Sequence, residues 1–164
     1  MSFIEVIKEK CREHEKVKLF VDMDGTIAEY PVLKTNEAEK KMTELYGSTK
    51  PLMPVIEVLG EISKIPNLEM YILSLSKNDE ITDKKEVWLK KYVPFIKESN
   101  YLILTRGKGY TDETRDIAKP ENIVKHKEPG CYLIMLDDDH KVLRIAQKMV
   151  EDSGEVYHAS SAIA

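Results

Sequence analysis

The sequence contains little cysteine. Only Cys11 and Cys131 are present, neither lies in a CxxC pair, and neither is near a pair of histidines. Structural zinc sites and disulfide frameworks need more sulfur than this, at closer spacing. Two separated thiols fit a reducing compartment, so we expect a cytoplasmic protein.

Long apolar runs and an excess of positive charge are also missing. No stretch approaches the roughly 20 apolar residues that cross a bilayer, and the alternation of apolar and charged residues at the start is unlike a signal peptide. The 25 basic and 29 acidic residues give a net charge of −4, which argues against broad binding to duplex nucleic acid. We expect no membrane partner, and nucleic acid only as a strand end, whereas local positive charge could still bind a small anionic substrate.

Short apolar runs rich in β-branched residues recur between amphipathic stretches. Runs of four to six residues are too short for helices and are typical of buried strands. Strands that alternate with helices indicate an α/β fold, a doubly wound parallel Rossmann-like sheet of about five strands. The predicted strands are 17–21 (VKLFV), 70–75 (MYILSL), 101–105 (YLILT), 132–136 (YLIML) and 155–158 (EVYH).

The 164 residues predict one domain, 1–164. A helix at 2–14 precedes a core formed by residues 17–27 and 53–158. Residues 28–52 form an insertion after the first strand, with one predicted helix at 37–46 ended by Gly47. This insertion is too small for a domain and large enough for a small helical cap over the strand ends.

Polar side chains follow three of the predicted strands. Asp22 and Asp24 come directly after the first strand, Ser74 and Ser76 end the second, and residues 137–139 (DDD) follow the fourth. Because the carboxyl ends of parallel strands meet at one edge, we expect these groups to lie together, where open α/β sheets bind ligands. Hard oxygen ligands without sulfur or clustered histidine favour Mg²⁺.

Each of these features alone has an ordinary structural explanation. A lone DxD is usually a turn or a helix cap, residues 137–139 could be a solvated loop, and a strand-end serine often only bonds backbone. Their combination, in this order at the ends of separate strands, is far less common by accident.

At these residues the sequence resembles the haloacid dehalogenase-like (HAD) hydrolase superfamily, over about residues 17–150. The family's first motif, hhhhDxDGT, is matched by residues 18–26 (KLFVDMDGT), the second by 71–74 (YILS), and the fourth by 134–138 (IMLDD). The resemblance implies a phosphatase with a small cap.

The third motif, a lysine before the fourth strand, has two candidates. Lys119 opens a predicted helix at 120–126, and proline at the first helical position suits that start. Lys108, in the run 105–108 (TRGK), directly follows the third strand and resembles the TRDK of 5′(3′)-deoxyribonucleotidases. We favour Lys119 and keep both.

The resemblance also implies roles. Asp22 would be the nucleophile, Asp24 the general acid and base, and Ser74 with the lysine would bind the phosphoryl oxygens. Mg²⁺ would be held by Asp22, the Asp24 carbonyl and an acidic pair. That pair is Asp137 and Asp138, and the residues expected beside the substrate are Gly25, Thr26, Ser76 and Lys85.

The substrate class has less support. Residues 85–94 resemble a deoxyribonucleotidase segment, which implies a nucleotide substrate and places the Lys85 charge in the phosphate pocket, but 76–78 (SKN) depart from the family's TSP. An amphipathic helix with Trp88 in the core explains the same segment. Apolar candidates to pack a base are Tyr30, Tyr46 and Leu52.

Two further alternatives remain. The run 115–119 (RDIAK) resembles the phosphatase modules of polynucleotide kinases, which implies a nucleic-acid 3′-phosphate. A phosphate-responsive binding or regulatory module without turnover would use similar groups. Receiver domains, however, place the acceptor aspartate after the third strand, where residues 104–107 (LTRG) hold no carboxylate.

Overall fold

The computed structural model describes residues 1–30 and 46–164. The predicted helix 37–46 and most of the predicted cap therefore lie outside the described residues. The α-helices are α1 (Phe3–Glu13), α2 (Met53–Ile62), α3 (Asp79–Tyr92), α4 (Arg115–Lys125) and α5 (His140–Val150). The strands are β1 (Lys16–Val21), β2 (Leu68–Ser76), β3 (Tyr101–Thr105), β4 (Cys131–Asp137) and β5 (Gly154–His158), and 3₁₀ turns lie at Glu98–Asn100, Glu151–Ser153 and Ala159–Ile163.

The five strands form one parallel sheet in the order β3-β2-β1-β4-β5. This confirms the predicted α/β Rossmann-like class. Strand β1 lies in the centre, where Val21 is in register with Ile72 of β2 and Leu136 of β4. The ends of β1, β2 and β4 therefore lie side by side at one edge, as the alternating pattern predicts.

Successive side chains of a strand point to opposite faces of the sheet, so the apolar core has two parts, one on each face. On one face Leu19 and Val21 pack in a cluster with residues of α1, α2 and α3. On the other, Phe20 packs in a cluster with residues of α4 and α5, such as Ile123 and Ala146. The helices thus cover both faces, and none in the described ranges is both long and apolar enough to span a membrane.

Helix α4 differs from the sequence prediction. It begins at Arg115, so Lys119 lies inside it and does not open it, and Pro120 is an interior residue. The early start is tolerated because Ala118, Lys119 and Pro120 are all buried against the rest of the fold. Tertiary packing here overrides the tendency of the residue before proline to leave the helix.

Glu155 of β5 links three elements on the side of α1. It accepts hydrogen bonds from Tyr132 (2.8 Å) and Tyr157 and pairs with Lys10 at 3.0 Å. Burial alone would raise the pKa of Glu155, but the tyrosine hydroxyls and the Lys10 ammonium outweigh it and lower that pKa below its ordinary value. The ionised form is therefore the one that stabilises the fold.

Candidate active site

The loop after β1 is held in a tight turn. The amides of Thr26, Ile27 and Ala28 all donate to the Met23 carbonyl, at 3.2, 3.0 and 3.0 Å. Gly25 sits in the left-handed region, with φ of 78°, and a Cβ there would overlap the Asp138 carboxylate. Glycine is required here both by the backbone and by the approach of Asp138.

Lys119 joins the ends of β1 and β4. Its Nζ lies 2.7 Å from Asp22 Oδ1 and 2.9 Å from Asp137 Oδ2, and all three side chains are buried. Burial alone would lower the pKa of Lys119, but the two carboxylates outweigh it and raise the pKa above its ordinary value. Lys119 is therefore charged, and it holds the Asp22 carboxylate in place together with Thr26, whose hydroxyl donates to Asp22 Oδ2 at 3.2 Å.

Three carboxylates converge beside this lysine. Oxygens of Asp22, Asp137 and Asp138 lie within 4.8 Å of one another. Burial, and next the charge of Asp137, raise the pKa of Asp22 well above its ordinary value despite Lys119. The cluster brings three acidic groups to one lysine, and an all-oxygen donor set of this kind fits a hard divalent cation such as Mg²⁺. The Asp24 carbonyl as a further ligand stays a prediction.

The Asp24 carboxylate has a separate environment. Its Oδ2 accepts from Lys85 Nζ at 2.9 Å and from the Tyr46 hydroxyl at 3.4 Å. Its Oδ1 is buried and has no hydrogen-bond partner among the described residues. The same Lys85 donates to Ser74 Oγ at 2.9 Å and to the Leu75 carbonyl at 2.7 Å.

Most of these groups line a cavity of about 220 Å³ at the carboxyl edge of the sheet, whereas Gly25, Thr26 and Lys85 are not part of its lining. The sequence analysis assigns no site role to Lys77, Tyr110 or Arg115. The position of Arg115 in the RDIAK run was a usable signal. The cavity is lined by Asp22, Asp24, Tyr30, Tyr46, Ser74, Leu75, Lys77, Tyr110, Arg115, Lys119, Asp137, Asp138, Asp139 and Val142.

The structure places other predicted site residues away from the cavity. Lys108 is exposed and pairs with Asp79 at 2.8 Å. Ser76 is buried, donates to the Asn78 carbonyl at 2.9 Å and accepts from Thr82 at 2.8 Å. Both side chains are thus engaged in contacts outside the cavity.

The three side chains that the sequence suggests for packing a base also differ in their positions relative to the cavity. Tyr30 is 55% exposed at the cavity and donates to Asp138. Tyr46 is buried under the Asp24 carboxylate, with its ring 4.9 Å from Lys85 Nζ. Leu52 precedes α2, outside the cavity lining. Of the three, Tyr30 offers the accessible ring.

Comparison with solved structures identifies the fold as HAD-like. The chain is similar to a chain of the Pnkp1/Rnl/Hen1 RNA repair complex, with a TM-score of 0.60 and 18% identity over 87% of its length, and it spans only 42% of that chain. It is also similar to the HAD domain of effector protein Lem4 from Legionella pneumophila, with a TM-score of 0.54 and 18% identity over 88% of this chain and 87% of that one. No protein-family model and no curated protein matches the sequence.

Proposed function

We propose that this protein is a Mg²⁺-dependent phosphatase that hydrolyses a phosphate monoester through an aspartyl-phosphate on Asp22. The observation that supports this most is the buried Asp22 carboxylate, which Lys119 holds beside two further acidic groups. A second carboxylate, Asp24, lines the same cavity. The HAD-like fold supports the same assignment.

In the first step, a carboxylate oxygen of Asp22 attacks phosphorus and the bond to the leaving oxygen breaks. Asp24 gives its proton to that oxygen, so the product leaves as an alcohol. We assign the Ser74 hydroxyl and the Lys119 ammonium, which both line the cavity, to the phosphoryl oxygens that gain charge in the transition state. We favour Lys119 over Lys108 because only Lys119 reaches Asp22.

In the second step, water attacks the phosphorus of the aspartyl-phosphate. Asp24, now ionised, accepts a proton from that water, and inorganic phosphate leaves as the Asp22 carboxylate is regenerated. One carboxylate thus serves as acid and then as base, which leaves the protein unchanged after each turnover.

Asp22, Asp137 and Asp138 would hold the cation. When bound, Mg²⁺ supplies positive charge that offsets repulsion between the anionic nucleophile and the anionic phosphate. The structural support is the convergence of three carboxylates beside a single lysine.

For the substrate, we propose a nucleotide or the 3′-phosphate of a nucleic-acid strand end. Tyr30 presents an exposed ring at the cavity, and Lys77 and Arg115 add positive charge to its lining. The likeness to a chain of an RNA repair complex favours the strand end.

A substrate panel with purified protein tests this function. We expect hydrolysis of p-nitrophenyl phosphate in Mg²⁺ and none in EDTA. Nucleoside monophosphates or 3′-phosphorylated oligonucleotides should give a higher kcat/KM than sugar phosphates of similar charge. If sugar phosphates are cleaved best, the nucleotide assignment is wrong and the phosphatase stands. If no monoester is cleaved, a binding or regulatory module without turnover becomes the better proposal.

A further inference from the structure

Lys85 is a fully buried lysine in the middle of α3. A lysine ammonium carries three hydrogens to donate and accepts none. Lys85 has three acceptors within hydrogen-bond distance, at Asp24 Oδ2, Ser74 Oγ and the Leu75 carbonyl. Its donors are therefore already matched by protein atoms, and a phosphate could be bound only by giving one of them up.

This contact gives the two carboxylate oxygens of Asp24 different hydrogen-bonding surroundings. Oδ2 is fixed by Lys85, with the Tyr46 hydroxyl on the same atom. Oδ1 is buried and has no protein partner within the described part of the chain. A buried polar atom without a partner costs stability, which is typical of a group reserved for a ligand.

Lys85 also orients the Ser74 hydroxyl. Because its oxygen accepts from Lys85, its hydrogen points elsewhere and can be donated. Ser74 lines the cavity beside Asp24. One ammonium therefore contacts two groups that the proposed reaction uses, the Asp24 carboxylate and the Ser74 hydroxyl.

We propose that Lys85 is a positioning residue, which fixes Asp24 Oδ2 so that Oδ1 is the atom that transfers the proton. This deepens the proposed function and rests on it. In the first step the proton passes from Oδ1 to the leaving oxygen as its bond to phosphorus breaks. This role replaces the phosphate-binding role that the sequence predicts for Lys85.

Leaving-group dependence separates the two roles. The Lys85→Met variant keeps an unbranched side chain, one atom shorter than that of lysine, and removes its donors. Only a poor leaving group needs the proton, so kcat/KM for glycerol 2-phosphate should fall about 10-fold or more beyond the fall for p-nitrophenyl phosphate, within the range that general acids supply. The inhibition constant of inorganic phosphate should change little.

Three comparisons complete the experiment. Lys90→Met removes a lysine from the same helix that pairs with Glu98 at the surface, and both substrates should be cleaved as by wild type. Asp24→Asn should show the same selective loss as Lys85→Met. The double variant Lys85→Met/Asp24→Asn should have nearly the same kcat/KM for each substrate as Asp24→Asn alone, because both changes remove the same function.

An equal loss for both substrates, with weaker inhibition by phosphate, would overturn the proposal and make Lys85 a phosphate ligand. If Lys85→Met does not fold, Lys85→Gln decides, since its shorter side chain removes the ammonium that contacts Asp24 Oδ2, Ser74 Oγ and the Leu75 carbonyl. A selective loss supports the proposal, and an unchanged ratio overturns it. Wild type without activity on either substrate would instead refute the phosphatase itself, and the proposal with it.

Discussion

Replacing Lys119 by methionine removes the only ammonium that bridges β1 and β4 among the described residues. The two carboxylates it contacts, at 2.7 and 2.9 Å, are 6% and 1% exposed and would lose their cation. Breaking a buried ion pair from one side typically costs about 3–5 kcal/mol, because the remaining charge stays buried. We expect a loss of unfolding free energy of that order in EDTA, and a smaller one in Mg²⁺.

The same variant should lower turnover of p-nitrophenyl phosphate by about 10²-fold or more, since one preorganised donor is removed. Lys108→Met is the matched control, because Lys108 pairs only at the surface and surface changes usually stay within about 0.5 kcal/mol. Chemical denaturation and steady-state kinetics measure both effects. If Lys108→Met is the more damaging change, Lys108 takes the third-motif role.

Three further changes give distinct results. Asp24→Asn should retain more activity on p-nitrophenyl phosphate than on glycerol 2-phosphate, and equal losses would contradict its role as acid. Gly25→Ala should lower the free energy of unfolding by about 1–3 kcal/mol, because φ at this position is 78°. The variant should also need a higher Mg²⁺ concentration for activity, because the new methyl group crowds Asp138. An unchanged melting temperature would contradict this. Glu155→Gln should make the free energy of unfolding less dependent on pH in the acid range. The ionised form of Glu155 stabilises the fold above its ordinary pKa of 4.5, and this contribution is lost as pH falls through the lower folded value; melting curves with an unchanged pH dependence would refute it.

The strand pattern and the first motif could be predicted because both are local. β1 runs directly into Asp22, and the parallel register then fixes which strand ends are neighbours. The start of α4 could not be predicted, because Thr114 makes no side-chain cap bond and burial, not capping, keeps Lys119 helical.

The contacts of Lys85 could not be predicted from the sequence for a different reason. Its partners Asp24 and Ser74 lie 61 and 11 residues away along the chain, and only the packing of α3 on β2 brings them together. A sequence pattern shows that a lysine is present, but it does not show which acceptors satisfy it.

The identity of the phosphorylated atom tests the central claim most directly. Enzyme quenched with acid during turnover of a phosphate monoester in Mg²⁺ should carry a phosphoryl group on the peptide that contains Asp22, as mass spectrometry of that peptide would show. Asp22→Asn should carry none and release no phosphate. Phosphate release by Asp22→Asn at the wild-type rate, or phosphorylation at another residue, would contradict the account.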